Sequence, residues 1–299
     1  MSRRVLVTGG YGFVGSAFVS KAQTKHEVIR IARTARAGDD IVWDLTGATH
    51  PPLPESDYLV HVASLTARQS DDATSAAEYR RHNVTGTQNL FGALASLPRY
   101  VLYVSTTDVY GHDKGELITE QTTLQPQTLY ARSKLEAEQV TASFCAARGI
   151  RLGIARLGPI YGPGEAAYKK AIPTFISLAV AGKTLTILGE GRAKRQYLYV
   201  DDVARALALM LDVEFDGVLN LAGATAVSIA DLAQLIVELS GNATGIEQVV
   251  SERPEADVLF DTAKLSGLGF AETVPLSEGL GREIAWYRGR RDAADAHSV

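Results

Sequence analysis

The sequence predicts an α/β fold, a doubly wound parallel sheet followed by a smaller C-terminal lobe. Three observations lead there. Short β-branched runs alternate with helix-like segments through the first half of the chain. A cluster of glycines stands between the first run and the first helix. After about residue 160 the alternation gives way to loops marked by proline and glycine. Strands separated by helices imply βαβ units, and βαβ units build a parallel sheet.

Taken in order, residues 5–8 (VLVT) read as a buried strand, and the helix after the glycines starts near Gly15 and runs through Ala17, Phe18 and Ala22. Residues 27–33 (EVIRIAR), 41–45 and 58–63 (YLVHVA) read as the second, third and fourth strands. A long helical stretch, 73–94, leads to a fifth strand at 100–105 (YVLYVS). Residues 129–147 carry helical periodicity, and 151–157 form a sixth strand. Beyond that, Pro159, Pro163, Pro173 and the Gly189-Glu190-Gly191 turn mark loops around short elements. The expected division is a nucleotide-binding domain over 1–160, to which later segments return, a lobe over 161–290, and a polar flexible tail over 291–299.

Composition narrows the function. The 299 residues are 46% hydrophobic and 21% charged, and the net charge of −4 argues against nucleic acid as a partner. The only cysteine, Cys145, cannot form an internal disulfide, and the expected place for it is the core. The apolar run after Arg4 is too short for a signal-peptide core, and no stretch approaches the roughly 18 apolar residues of a membrane helix. The cytosol is the expected compartment. Six histidines are scattered without ligand spacing, so no metal is expected.

The glycines carry the first chemistry. Thr8-Gly9-Gly10-Tyr11-Gly12-Phe13-Val14-Gly15 lies between strand and helix, where a pyrophosphate needs close backbone approach and the positive end of a helix. Gly9, Gly12, Phe13, Val14 and Gly15 are therefore the candidate dinucleotide cradle. About 20 residues on, NAD enzymes of this type place a carboxylate for the ribose 2′-hydroxyl. Here the strand ends in Arg33-Thr34-Ala35-Arg36 instead. Two arginines suit a 2′-phosphate, so NADP is favoured over NAD, with NAD held without that carboxylate as the other reading. Asp44 and Leu45, ending the third strand, are candidates to flank the adenine.

Tyr130-Ala131-Arg132-Ser133-Lys134 carries the second. On a helix, Tyr130 and Lys134 share a face, and an ammonium beside a phenol stabilises the phenolate that proton transfer requires. Together these signals, with His61-Val62-Ala63-Ser64, Asn83-Val84, Gly86-Thr87, Val104 to Gly111 (VSTTDVYG), Arg156 to Gly164 (RLGPIYGPG), Arg195 to Asp202 (RQYLYVDD) and Arg253 to Asp257 (RPEAD), make the chain resemble the extended short-chain dehydrogenase/reductases. Within them it resembles the NAD-dependent epimerase/dehydratase family of sugar-nucleotide enzymes. The resemblance covers nearly the whole chain and implies a Rossmann sheet.

It further implies that Thr106 bonds the reacting sugar oxygen, that Tyr130 is the acid/base and Lys134 its partner, and that Ala63 and Ser64 line the cofactor. Thr107 counts among the substrate residues, and Asp108 stands where some dehydratases and decarboxylases place a glutamate. Arg195 and Arg253 match arginines that clasp a diphosphate. Pro159 replaces an asparagine common before the Val-Tyr-Gly-Pro segment, which weakens an assignment as UDP-glucose 4-epimerase. The helices bearing Asn83 and Tyr130 resemble those that pair in homodimers of the family. The reading that emerges is an NADP(H)-dependent 4-ketoreductase of an NDP-4-keto-6-deoxyhexose. The alternatives are a 4-epimerase, a dehydratase or decarboxylase, and a non-catalytic dinucleotide-binding protein.

Overall fold

The computed structural model describes residues 2–38, 40–47, 49–66, 74–111, 116–165, 170–251 and 255–296. Seven strands form one sheet: β1 (Arg4–Thr8), β2 (Glu27–Ala32), β3 (Ile41–Val42), β4 (Tyr58–His61), β5 (Tyr100–Thr106), β6 (Arg151–Leu157) and β7 (Gly217–Leu221). Their order is β7-β6-β5-β4-β1-β2-β3, and every pairing is parallel. The order reverses between β1 and β4, so a crevice opens at the carboxyl ends of those two strands.

Helices cover both faces: α1 (Phe13–Ala22), α2, α3 (Leu129–Ala146), α4 (Ala171–Val180), α5 (Val200–Asp212), α6 (Ile229–Ser240), α7 (Ala263–Gly267) and α8 (Leu276–Ala296). Helix α2 is continuous through Ala76–Tyr79, a π-helical stretch Arg80–Thr85, and Gly86–Gly92. Alternation along β1 sends Val5 and Val7 to one core, with Phe18, Val203, Leu207 and Met210, and Leu6 to the other, with Leu59, Leu90, Phe91 and Cys145. Phe91 and Phe144 stack at 4.2 Å between centroids and join α2 to α3. Thr128 caps α3 by accepting the Ala131 N–H at 3.1 Å.

Several element boundaries differ from expectation. Strand β3 stops at Val42, because Asp44 leaves the sheet and closes a turn with Gly47. Helix α1 begins at Phe13 rather than near Gly15, and α2 spans 76–92 rather than 73–94. Pro173 lies inside α4, in the first turn, where its missing N–H has no intrahelical acceptor to lose. The expected polar tail at 291–299 continues α8 as far as Ala296. The sheet domain takes in segments beyond residue 160: α5 packs on α1, and β7 adds the outermost strand.

The remaining C-terminal segments form a lobe of small pairings drawn from distant stretches. Residues 194–196 pair antiparallel with 226–228, and 185–188 pair with 246–249. No helix among the described residues is long and apolar enough to cross a membrane.

Candidate active site

The glycine loop closes on itself through a hydrogen bond from Gly12 N–H to Gly9 C=O at 2.9 Å. Gly9 has φ +71, and a Cβ there would lie 2.6 Å from the Ala63 nitrogen, so only glycine lets β1 and β4 meet at the crevice. A Cβ at Gly15 would collide with the Gly9 carbonyl oxygen. The N-cap of helix α1 is Gly12, which brings no side-chain cap, and no acidic residue stands in the first turn. An uncapped helix start behind a loop that excludes Cβ atoms fits a dinucleotide pyrophosphate. Ala63 donates its N–H to Thr8 Oγ1 at 3.2 Å, and the Ser64 hydroxyl donates to Asn83 Oδ1 at 3.1 Å, so both line the opposite wall.

At the end of β2, Arg33 and Arg36 are both exposed. Arg36 lies with its guanidinium carbon 5.0 Å from the ring centroid of Tyr11, inside the glycine loop, and Arg30 lies 5.4 Å from the same ring. The Tyr11 hydroxyl donates to Asp40 Oδ2 at 2.6 Å. Sequence reasoning passed over Tyr11, Arg30 and Asp40. The signal for Arg30 was present, a cation inside an otherwise apolar strand. Asp40 and Tyr11 are 29 residues apart, and no spacing rule joins them.

Asp44 accepts the N–H and the hydroxyl of Thr46, each at 2.9 Å. The Thr46 N–H first, then its hydroxyl and the charges of His82 and Arg33, hold the Asp44 carboxyl below its ordinary range. Leu45 is fixed by Asn89, whose amide donates to its carbonyl at 2.7 Å.

Helix α3 holds the candidate catalytic residues Tyr130 and Lys134. Lys134 is almost fully buried; its ammonium donates to the Val104 carbonyl at 2.8 Å and stands 4.4 Å from the Tyr103 ring centroid. That contact lays α3 against the end of β5, whose last residue is Thr106. Burial lowers the Lys134 pKa to about 7, against the opposing pull of Glu138 one turn on. Tyr130, half-buried one turn before Lys134, has its ring 6.1 Å from that of Tyr79. Thr106 is buried and its Oγ1 accepts the Asp108 N–H at 3.2 Å; Thr107 is buried beside it, and Asp108 is half-buried.

Behind these residues lie two polar networks. His61 bridges Thr8 Oγ1 (2.6 Å) and Thr87 Oγ1 (2.8 Å), and burial, reinforced by the Lys134 charge, lowers its pKa to about 3, so the ring is neutral. Asn83 donates to the Ser133 hydroxyl at 2.9 Å, and that hydroxyl donates to the Tyr130 carbonyl at 2.7 Å. In the second network Glu138 takes two hydrogen bonds from Arg156, at 3.1 and 2.7 Å. Arg156 also donates to the Tyr110 hydroxyl at 2.9 Å, which donates to Asn220 Oδ1 at 2.8 Å. Cys145 is a core residue, and burial pushes its thiol up to about 12.

On the lobe side, Arg195 Nη1 donates to the carbonyls of Lys194 (2.7 Å) and Ala256 (2.8 Å). Glu255 accepts the N–H groups of Glu190, Gly191 and Arg192 at 2.5, 3.0 and 2.5 Å, and Asp257 accepts that of Lys194 at 2.7 Å. The segment after Arg253 is thus strapped to the strand of Arg195; Arg253 itself lies outside the described residues. Pro159 contributes a carbonyl, which accepts the Leu198 N–H at 3.0 Å.

Comparison with known proteins gives the chain a family. A family model described as the NAD dependent epimerase/dehydratase family matches residues 5–222. A dTDP-glucose 4,6-dehydratase of Streptomyces niveus is 30% identical over 96% of this chain and 94% of its own length. Among solved structures, MoeE5 in complex with UDP-glucose and NAD superposes with a TM-score of 0.81 at 30% identity, covering 97% of this chain and 99% of the other. A UDP-N-acetylglucosamine 4-epimerase from Methanobrevibacter ruminantium M1 gives a TM-score of 0.86 at 25% identity over 97% and 99%.

Proposed function

Because this chain belongs to the NAD dependent epimerase/dehydratase family, we propose that it modifies the sugar ring of a nucleoside-diphosphate sugar, acting as an NADP(H)-dependent 4-ketoreductase of an NDP-4-keto-6-deoxyhexose. The observation that carries the catalytic part is the buried Lys134 ammonium, one helical turn from Tyr130 and against the strand that ends in Thr106. The dinucleotide, when bound, supplies hydride to a ring carbon. Tyr130 gives its hydroxyl proton to the sugar oxygen, and Lys134 stabilises the phenolate left behind. Thr106 holds the same oxygen by a hydrogen bond. Arg195 and Arg253 meet the diphosphate, for which a fixed charge and a forked donor set are suited.

The arginines around Tyr11 support the choice of NADP, and Thr107-Asp108 supports reduction over dehydration, since it offers a single, short carboxylate. The relatives favour a second reading, a 4,6-dehydratase or 4-epimerase in which hydride returns to the sugar and the cofactor is NAD. In that case Asp108 is the candidate acid/base beside Thr106. Pairing of two copies through α2 and α3, and a cytosolic setting, belong to the same proposal.

The deciding experiment is denaturation of purified protein with mass identification of any released dinucleotide, followed by assay of NADPH oxidation on NDP-4-keto-sugars. Stoichiometric NADPH oxidation supports the reductase. Retained NAD(H) with no net oxidation overturns it in favour of internal hydride return.

A further inference from the structure

We propose that Asp40 and Tyr11 form a latch that sets dinucleotide preference by holding Arg36 over the glycine loop, where a 2′-phosphate would stand. This deepens the NADP reading above and rests on it for the ligand, but the latch itself is visible in the chain. Asp40 Oδ2 gathers three donors: the Tyr11 hydroxyl at 2.6 Å, the Arg36 N–H at 2.6 Å and the Ala37 N–H at 2.9 Å. The Asp40 N–H returns to the Ala37 carbonyl at 3.2 Å. One carboxylate therefore staples the segment after β2 onto a residue of the cofactor loop.

The staple has a directional effect. With its backbone fixed, Arg36 lies over the Tyr11 ring, and Arg30 lies against the same ring from β2. The Arg30 Nε is buried and has no hydrogen-bond partner among the described residues. Arg30 Nη2 donates to Gln23 Oε1 at 3.3 Å, and its Nε stays an unpaired donor beside the Tyr11 ring among the described residues. A phosphate dianion satisfies two guanidinium groups; a ribose hydroxyl does not. Asp40 opposes a nearby phosphate through its own charge, which the guanidinium groups of Arg30 and Arg36 must outweigh. Burial opposes that charge, but the Tyr11 hydroxyl and the two backbone N–H groups hold the carboxyl below its ordinary range, so it stays ionised and engaged. It is a positioning residue, and Arg36 is the group it positions.

The test is a binding titration, without sugar substrate, of the cofactor-free protein and of Tyr11→Phe, Arg36→Ala and the double variant. NADPH and NADH are followed separately by nicotinamide fluorescence. Phenylalanine keeps the ring and removes only the bond to Asp40. The expected result is an NADPH affinity about tenfold weaker in Tyr11→Phe, with NADH changed less than about twofold. Arg36→Ala loses at least as much for NADPH, and the double variant is no weaker than Arg36→Ala alone, because both changes remove one contact. Equal weakening of both dinucleotides, no change in either, or losses that multiply in the double variant each overturn the latch. If the unaltered protein prefers NADH, the NADP reading fails by itself. The shift in the ratio between the unaltered protein and Tyr11→Phe still decides the latch.

Discussion

Two buried clusters of charge in this protein are built on opposite principles. Around α3, Glu138 and Arg156 are each about 4% exposed, and they share two hydrogen bonds while Tyr110 and Asn220 extend the network. Between α8 and the loop after residue 161, Glu283 and Glu165 are both fully buried carboxylates. Glu165 has the Lys170 ammonium at 2.9 Å, and Glu283 faces the backbone N–H of Gly162. Burial pushes Glu165 up to about 7; burial, and then the charge of Glu165, push Glu283 up to about 8. In the first cluster the carboxylate and the guanidinium meet in a two-bond geometric complement. The second holds its protons up to near-neutral pH, because burial penalises the charged form of both carboxyls. One fixes geometry behind a catalytic helix at any ordinary pH; the other makes the attachment of α8 depend on pH.

The largest expected effect lies on the catalytic side. Tyr130→Phe lowers turnover by as much as about 10⁴-fold, the upper range for losing a general acid. Dinucleotide affinity stays within a few-fold, read by titration. Comparable turnover in the variant would remove Tyr130 from the chemistry.

Next, Glu138→Ala leaves the Arg156 guanidinium buried without its partner and costs about 3–5 kcal/mol in denaturant unfolding. Replacing both residues by methionine recovers most of that loss, since two apolar groups leave nothing unpaired. A double variant as unstable as the single one would mean that Arg156 matters through other contacts.

Smaller again is the pH effect of the carboxylate pair. Both groups bind protons more tightly folded than unfolded, so their contribution is complete below about pH 4.5 and is lost as pH rises through about 7 and 8. The thermal midpoint therefore falls between pH 6 and pH 9. Glu283→Gln, which cannot ionise, flattens that fall by an amount on the order of a few kcal/mol. A profile unchanged by the substitution would place the sensitivity elsewhere.

The smallest effect expected is at Cys145, whose thiol sits in the core with no polar task. Cys145→Ala costs about 1 kcal/mol through the small cavity left, and dinucleotide affinity is unchanged. Rapid modification of Cys145 by a thiol reagent in the folded protein would contradict its burial.

The sequence by itself determined the parallel sheet, the glycine cradle and the Tyr130–Lys134 pair. Each is written in a local pattern: short β-branched strand runs between helices, glycines at fixed spacing, a phenol and an amine one helical turn apart. Gly9 and Gly15 could be read because the reason for glycine there, a missing Cβ, is a property of the residue itself. Element ends were less legible. Pro173 marks a break in sequence yet sits inside α4, because a helix start tolerates what its interior does not. Residues 291–296 look like a polar tail but prolong α8.

Only the tertiary structure decided what the charged residues do. Arg36 and Arg33 look alike in sequence, yet Arg36 is turned onto Tyr11 by Asp40, while Arg33 contributes to the field around Asp44 and His82. Glu138 and Glu283 both stand on helices of mixed composition; Arg156, 18 residues from the first, gives it two hydrogen bonds, while burial first and then Glu165, far from the second in sequence, raise the pKa of Glu283. The cause is the range of the forces. Backbone preference and hydrophobic period act over a few residues and leave their mark in the string, whereas the state of a charge depends on partners and water exclusion that exist only after the chain has folded.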